Sequence, residues 1–454
     1  MVDKREPEEE TSRVLRKAKP GPARQAPANE KGSVNIMKIG SVMQKQIRNI
    51  STDRTNRQSV ARVLTFAILF AIALVTAPAA HAQTFRVVHT FTGNPDGAEP
   101  FQSSPLILSG ALYGTSLFGG LSDNGTIFKL DRTGKVTVLY NFTGGTDGGV
   151  PDGTMIADTK GNLYGTTNNG GDPSCGGCGV VFRFNKNGLK VLYSFTGGAD
   201  GAFPQGVVMD TAGNLYGGTY QGGGACDCGV IYKIDTSGHQ SVLHTFTGGA
   251  DGGSPNGFVS VDSAGNVYGA ALIGGTSGCC GVVFKIDSGG TETELYNFTG
   301  GADGSLPNAS FLMDAQGNLY GTTIAGGDLN CSFGGNAGCG VIFKVTPAGK
   351  EKVLYTFHGA DGATPNYGLI KDAKGNGYST TTYGGTDGFG TVFELTHKGV
   401  EKVLYSFTGG ADGALPYSGL AMDAKGNIYS NTFQGGDLSC NSPNGCGTLF
   451  KISR

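Results

Sequence analysis

One pattern, Phe-Thr-Gly-Gly-x-Asp-Gly, recurs seven times and restricts the chain to repeat architectures. Its phenylalanines are Phe91, Phe142, Phe195, Phe246, Phe298, Phe357 and Phe407. Successive copies lie 51, 53, 51, 52, 59 and 50 residues apart. Two copies deviate: Asn94-Pro95 interrupts the first, and Phe357-His358-Gly359-Ala360 is one residue shorter. A proline follows each Asp-Gly by three positions: Pro100, Pro151, Pro204, Pro255, Pro307, Pro365 and Pro416.

Each unit holds four short strand-like segments. In the third unit they are 206–210, 214–219, 229–234 and 240–246. β-Branched and aromatic residues fill them, and Gly, Asp and Asn fill the gaps. Asp210-Thr211-Ala212-Gly213-Asn214 and Asp235-Thr236-Ser237-Gly238 read as hairpin turns. No segment has a helical period. The 80 glycines have no three-residue period, so they are turn material and not collagen.

Four-stranded units of about 50 residues in tandem predict an all-β fold, a seven-bladed β-propeller of antiparallel blades over 83–454. A solenoid would need capping units, and neither end has one. The repeat region opens on a fourth-strand segment, 85–91, and ends on a third-strand segment, 447–452. The N-terminal strand is therefore expected to join the last blade and remove a free edge.

The string Asn162-Leu163-Tyr164-Gly165-Thr166-Thr167, followed by GG, GVVF and VLYSFTGGADG, resembles the GloVer (Gloeo/Verruco) tandem repeat of exported bacterial "choice-of-anchor" proteins. The blade pattern is also similar to that of NHL-type β-propellers. The first resemblance implies a bacterial host and export, and carries no known activity. That family ends in sorting or anchoring signals; after Lys451-Ile452-Ser453-Arg454 none is read, which leaves envelope attachment open.

Residues 1–60 are charged and lack apolar periodicity, which predicts a disordered leader. Within 61–82, a short apolar run at 63–75 follows Arg57 and Arg62 and ends at Ala80-His81-Ala82. That is a signal-peptide pattern, with cleavage expected near Ala82-Gln83. The run is shorter than the ~20 residues of a membrane span, although a retained anchor is the competing reading. Met37 and Met43 are alternative starts. Without 1–82 the chain carries 20 basic and 29 acidic residues, which argues against a nucleic-acid partner. The expected product is a secreted or periplasmic monomer with no membrane span after cleavage.

In an up-and-down blade the second-to-third loops and the blade-to-blade linkers share one face. Those loops hold all ten cysteines, in pairs: Cys175 and Cys178, Cys226 and Cys228, Cys279 and Cys280, Cys331 and Cys339, Cys440 and Cys446. Pairwise presence predicts five local disulfides. Zinc is the competing reading, but Cys175-x-x-Cys178 has no second ligand pair at zinc spacing. Adjacent Cα atoms at Cys279-Cys280 lie below the usual disulfide range, so a bond there is expected to be strained.

The linkers repeat Asp96, Asp147, Asp200, Asp251, Asp303, Asp361 and Asp412. A ring of carboxylates could bind sugar hydroxyls or a hard cation such as calcium, the one cofactor considered. Alternatively, each Asp closes its own turn. The second-strand tyrosines, such as Tyr164 and Tyr320, are expected to pack between blades, and Asn318 and Asn427 to serve turns. His358 is the only linker histidine and a candidate ligand contact; no catalytic residue is assigned.

Three functions follow. The first is a non-catalytic propeller that binds glycan or peptide through the loop face. The second is a propeller enzyme, a lyase, lactonase or glycan-active protein with metal at the channel mouth, marked by unlike polar residues converging from several blades. The third is a structural or adhesive envelope protein.

Overall fold

The structure, a computed structural model, describes residues 83–255, 258–308 and 310–454. The leader and signal-peptide readings fall outside them. Seven antiparallel sheets of four strands form the blades of a propeller. A 3₁₀ turn at Pro173–Cys175 is the only helical element among the described residues.

Blade 3 is representative. Val208–Met209, Leu215–Gln221, Val230–Ile234 and Gln240–Thr245 run from the channel outwards. The innermost strand is shorter than the sequence suggests. The residue before each repeat proline takes a left-handed backbone, for example Phe203 at φ 58°, and in blade 3 the pairing lapses after the proline, between Ala202–Pro204 and Val208–Met209. Proline has no N–H to give a ladder and suits this interrupted edge.

Blades 1 to 6 each take four consecutive strand positions from the chain. Blade 7 takes Ala421–Met422, Ile428–Thr432 and Thr448–Ser453 from the C-terminal end, and its outer strand is Thr84–Thr90. That strand pairs antiparallel with Thr448–Ser453, from Thr84 opposite Ser453 to Thr90 opposite Thr448. The turn after it brings Phe91 onto Phe128 of blade 1, with ring centroids 5.2 Å apart.

The same aromatic contact recurs at every blade junction. Phe142, Phe195, Phe246, Phe298, Phe357 and Phe407 each meet the third-strand aromatic of the following blade at 5.0–5.4 Å, in edge-on or steeply tilted geometry. All seven repeat phenylalanines are buried. Such pairs add about 0.5–1.5 kcal/mol beyond their buried area. The third-strand ring lies over a glycine or serine of the second strand. Gly165 faces Phe182 directly, and a Cβ there would come within 2.7 Å of the ring.

Blade 3 departs from the pattern. Tyr232 replaces phenylalanine, and its buried hydroxyl has no hydrogen-bond partner among the described residues. Two outcomes are expected in chemical denaturation. Phe298→Ala should cost about 3–5 kcal/mol, as a large aromatic deletion does. Tyr232→Phe should raise stability by about 1 kcal/mol, because it removes an unpaired polar group. A lower stability for Tyr232→Phe would mean that the hydroxyl has a partner.

Candidate functional site at the mouth of the central channel

The blade-to-blade linkers and the second-to-third loops meet on one face, as the strand order requires. Every linker is fastened to the loop of the preceding blade. The amides of Glu99, Val150, Phe203, Ser254, Leu306, Thr364 and Leu415 donate to Cys446, Asn124, Cys178, Cys228, Cys280, Cys339 and Phe389 carbonyls at 2.8–3.0 Å. Five disulfides hold these loops: Cys175–Cys178, Cys226–Cys228, Cys279–Cys280, Cys331–Cys339 and Cys440–Cys446. Their sulfurs sit against the first repeat glycine, as Cys178 does at Gly197. In the two cysteine-free loops, Asn124 takes that place at Gly144 and Phe389 at Gly409. The disulfides thus pin the face on which the linkers rest.

The seven repeat aspartates are spread around this face, one per junction. Asp200 accepts from the Thr196 amide at 2.9 Å, the Thr196 hydroxyl at 2.5 Å and the Tyr193 hydroxyl at 3.0 Å. Asp147, Asp303 and Asp412 repeat this set. Asp361 keeps the tyrosine, Tyr355, and accepts from the His358 amide. At Asp96 and Asp251 a histidine, His89 or His244, replaces the tyrosine. Each aspartate thus closes its own turn and ties it to the outermost strand. Among the described residues, no three His, Cys, Asp or Glu side chains gather closely enough to share a metal ion. His358 is exposed, and its Nδ1 lies 2.8 Å from Asp328 of the neighbouring loop.

The opposite face carries a second clamp. Asp314 accepts from the Asn318 amide at 2.9 Å, the Asn318 side chain at 2.7 Å and the Tyr320 hydroxyl at 3.1 Å. Tyr320 also packs into the core of the next blade, and Lys344 lies over its ring. The packing expected of these tyrosines is present, and their hydroxyls brace the turn as well.

The centre of the ring breaks the symmetry. At the channel waist the blades contribute Ser104, Thr154, Gly206, Phe258 and Ser310, with Gly419 beside Ser104, mostly small side chains. Tyr367 of blade 6 fills the space they leave. Its hydroxyl reaches Thr154 of blade 2 at 2.5 Å, and its ring meets Phe258 of blade 4 edge-on at 5.0 Å. A Cβ on Gly419 would lie 2.2 Å from that ring, so blade 7 must be bare there. Tyr367 is a plug, with a cavity of about 250 Å3 around it, walled below by Ile156, Val208, Ile370 and Leu420.

On the loop side of the waist lies a tier of buried polar side chains. Asp152, Gln205, Asn308 and Asn366 directly follow the repeat prolines, and Gln102 and Asn168 stand beside them. Asn308 donates to Asn366, and Asn168 to Asp152 at 3.0 Å. Among the described residues the remaining acceptors Gln102 Oε1, Asn168 Oδ1, Gln205 Oε1 and Asn308 Oδ1 are buried without a partner. Buried polar groups normally find partners, so this concentration makes the mouth the candidate site. Across blades 6, 7 and 1, Phe101, Tyr417 and Phe433 form an aromatic wall, with centroids 4.9–5.6 Å apart. Tyr383 joins it through a 3.1 Å contact between its hydroxyl and that of Tyr417.

Sequence reading chose this face but missed these residues. It weighed positions that repeat, whereas the mouth is built from the position after each proline, where the repeat varies.

A family model for the Gloeobacter/Verrucomicrobia repeat matches residues 73–259, 176–332 and 330–454. The chain belongs to this repeat family. A search of curated proteins gives no match. Among solved structures, the extracellular domain of a proposed one-component system from Bacteroides thetaiotaomicron aligns with 15% identity and a TM-score of 0.50. The alignment covers 82% of this chain and 41% of that one. A gluconolactonase from Xanthomonas campestris aligns with 12% identity and a TM-score of 0.40, over 82% of this chain and 89% of that one. At these identities the likeness speaks to the fold alone.

Asp152 is the one ionisable group of the polar tier. Burial pushes its carboxyl up to about 7, against hydrogen bonds from Asn168 and the Gly153 amide that favour the charged form. The unfolded carboxyl titrates near 3.9, so the folded protein holds this proton longer. The stabilising share of Asp152 is full below about pH 4 and is lost as pH rises through about 7. Half-buried Glu292, Glu351 and Glu401, also pushed up to about 7, act in the same window. The comparison is therefore between wild type and Asp152→Asn. Denaturation at about pH 4 and about pH 8 should show a stability drop smaller in the variant by about 2–4 kcal/mol. Equal drops would mean that Asp152 is hydrated.

Proposed function

We propose that the protein is an exported, non-catalytic binding propeller that takes an uncharged sugar unit at the loop-face mouth of its channel. The observation that carries this reading is the pairing of unmatched amide groups with an aromatic wall around one opening. An amide both donates and accepts, as a sugar hydroxyl does. Aromatic faces offer the flat apolar surface that the C–H side of a sugar ring covers. Ligand sites of this kind are concave, with a few polar groups that set orientation. The loops and linkers hold no lysine or arginine to favour an anionic sugar. The five disulfides support an oxidising compartment outside the cytoplasm.

A second reading, a lactone-hydrolysing enzyme, rests on Asp152, whose carboxyl is poised near neutral pH as a general acid or base should be. Against it, no second ionisable side chain of the tier stands beside Asp152.

Calorimetric titration of the purified protein with neutral mono- and oligosaccharides tests the two together. Binding should weaken about tenfold in Tyr417→Ala or Asn366→Ala, the loss of one stacking or hydrogen-bonding contact. Heat from no sugar, with lactone turnover that vanishes in Asp152→Asn, would replace the first reading with the second.

A further inference from the structure

The two faces of the ring differ in charge far more than the net value suggests. The loops and linkers of one face, such as 91–105 and 117–125 in blade 1, contain fifteen carboxylates and no lysine or arginine. All twenty basic residues after position 82, with the other fourteen carboxylates, lie in the strands and in the turns of the opposite face. The hydrogen bonds of the repeat aspartates do not cancel this charge. Five of the seven accept only from threonine, tyrosine or amide donors, which are neutral.

The same face carries most of the large exposed apolar side chains. Of nine large hydrophobic side chains exposed among the described residues, seven lie on or beside second-to-third loops. Leu121 is 73% exposed, Leu329 57% and Leu438 45%, and Tyr220, Ile273 and Phe389 lie at the corresponding loops of blades 3, 4 and 6. They form a broken apolar annulus among the carboxylates and outside the channel mouth. Single exposed apolar side chains are ordinary; what singles this face out is that most of them lie among its unbalanced carboxylates.

We propose that this annulus docks a cationic, amphipathic polypeptide segment, one that presents lysine or arginine together with apolar side chains. Charge decides the class of partner. A face with fifteen carboxylates and no fixed cation repels nucleic acid and anionic lipid, and raises the local concentration and encounter rate of a basic partner. The carboxylates are spread over seven blades, which matches an extended partner better than a single ion. A second copy of the ring fits less well. The twenty basic groups of its strands and opposite face are interspersed with fourteen carboxylates, and six are already engaged: five lysines lie over tyrosine rings, and Arg454 lies over Tyr378 and pairs with Asp372 and Glu394. The segment lies on the rim, so its docking is independent of what the channel mouth holds.

The test uses the purified protein and two fluorescent peptides of equal length, one alternating Lys and Leu, the other Glu and Leu. Anisotropy should show binding of the first alone, weakening as salt is raised. The triple variant Asp123→Asn, Asp387→Asn, Asp437→Asn should bind about tenfold more weakly at low salt, since exposed charge pairs are individually weak. Leu121→Ser with Leu329→Ser should weaken binding at low and high salt alike. All five positions are exposed or at loop tips, and an unchanged melting temperature verifies the fold of each variant. Equal binding of both peptides, or binding indifferent to the rim variants, overturns the proposal. So does sedimentation that shows self-association abolished by the charge triple, which would assign the face to a second copy. Asn366→Ala, which tests the sugar reading, should leave peptide binding unchanged.

Discussion

The contact between each repeat phenylalanine and the third-strand aromatic of the next blade is the constraint on which the ring depends. A four-stranded blade of this length buries too little by itself to be stable. Each blade therefore needs a neighbour on both sides, and an open stack would leave two blades short. The seventh contact, Phe91 on Phe128, engages the two blades that would otherwise be terminal. It forms only because the preceding residues pair with the C-terminal strand. The repeat unit in sequence and the blade in space are thus offset by one strand. The phenylalanine that marks the repeat is the last residue of one blade and the mortar of the next.

Much of this was legible in the sequence because it is periodic. Hairpin turns, the phenylalanines and the paired cysteines each recur, and one residue read seven times is strong evidence for one environment. The disulfide pairing followed from cysteines that come and go in twos. The structure adds why two blades manage without them: Asn124 and Phe389 occupy the same space against the turn glycine. That equivalence had no sequence signal, because an amide, a phenyl ring and a cystine share only their bulk. The turn tyrosines were likewise half legible. Their fixed place predicted packing, but the hydroxyl bond to the turn carboxylate, as from Tyr320 to Asp314, depends on a reach that a linear pattern does not display.

The channel was not legible, and the reason is physical. Around a ring axis the seven equivalent positions approach one another, so seven equal large side chains would collide. Asymmetry is forced at the centre, where one Tyr and one Phe fill what Ser, Gly and Thr leave open. Contacts such as Tyr367 with Thr154 join residues 213 positions apart and belong to no repeat. A reading that averages over repeats removes this information. The informative signal was departure from the consensus at the position after each proline: Asp152, Gln205, Asn308, Asn366 and Tyr417.

The uneven charge of the two faces follows from the same repeat logic carried one step further. Every linker needs an acceptor to close its turn, and a carboxylate accepts from the amide, the threonine hydroxyl and the tyrosine at once. Seven copies of a locally sound solution place seven like charges on one face. Turn closure accounts for those seven, and Asp123, Asp172, Asp227, Asp328 and Asp437 also accept from nearby backbone amides, but it does not account for the absence of basic partners. Asp123, Asp172, Asp227, Asp328, Asp387 and Asp437 lie in the second-to-third loops, and nothing in the blade scaffold demands that the same loops lack every basic side chain. On the other face, lysines laid over tyrosines sit among the second set of turn carboxylates, and charge is balanced locally. A fold that can balance one face and leaves the other unbalanced has its imbalance where the variable loops and the channel mouth also lie. Under the docking proposal, the self-repulsion tolerated there is the cost of keeping that surface available to a basic partner.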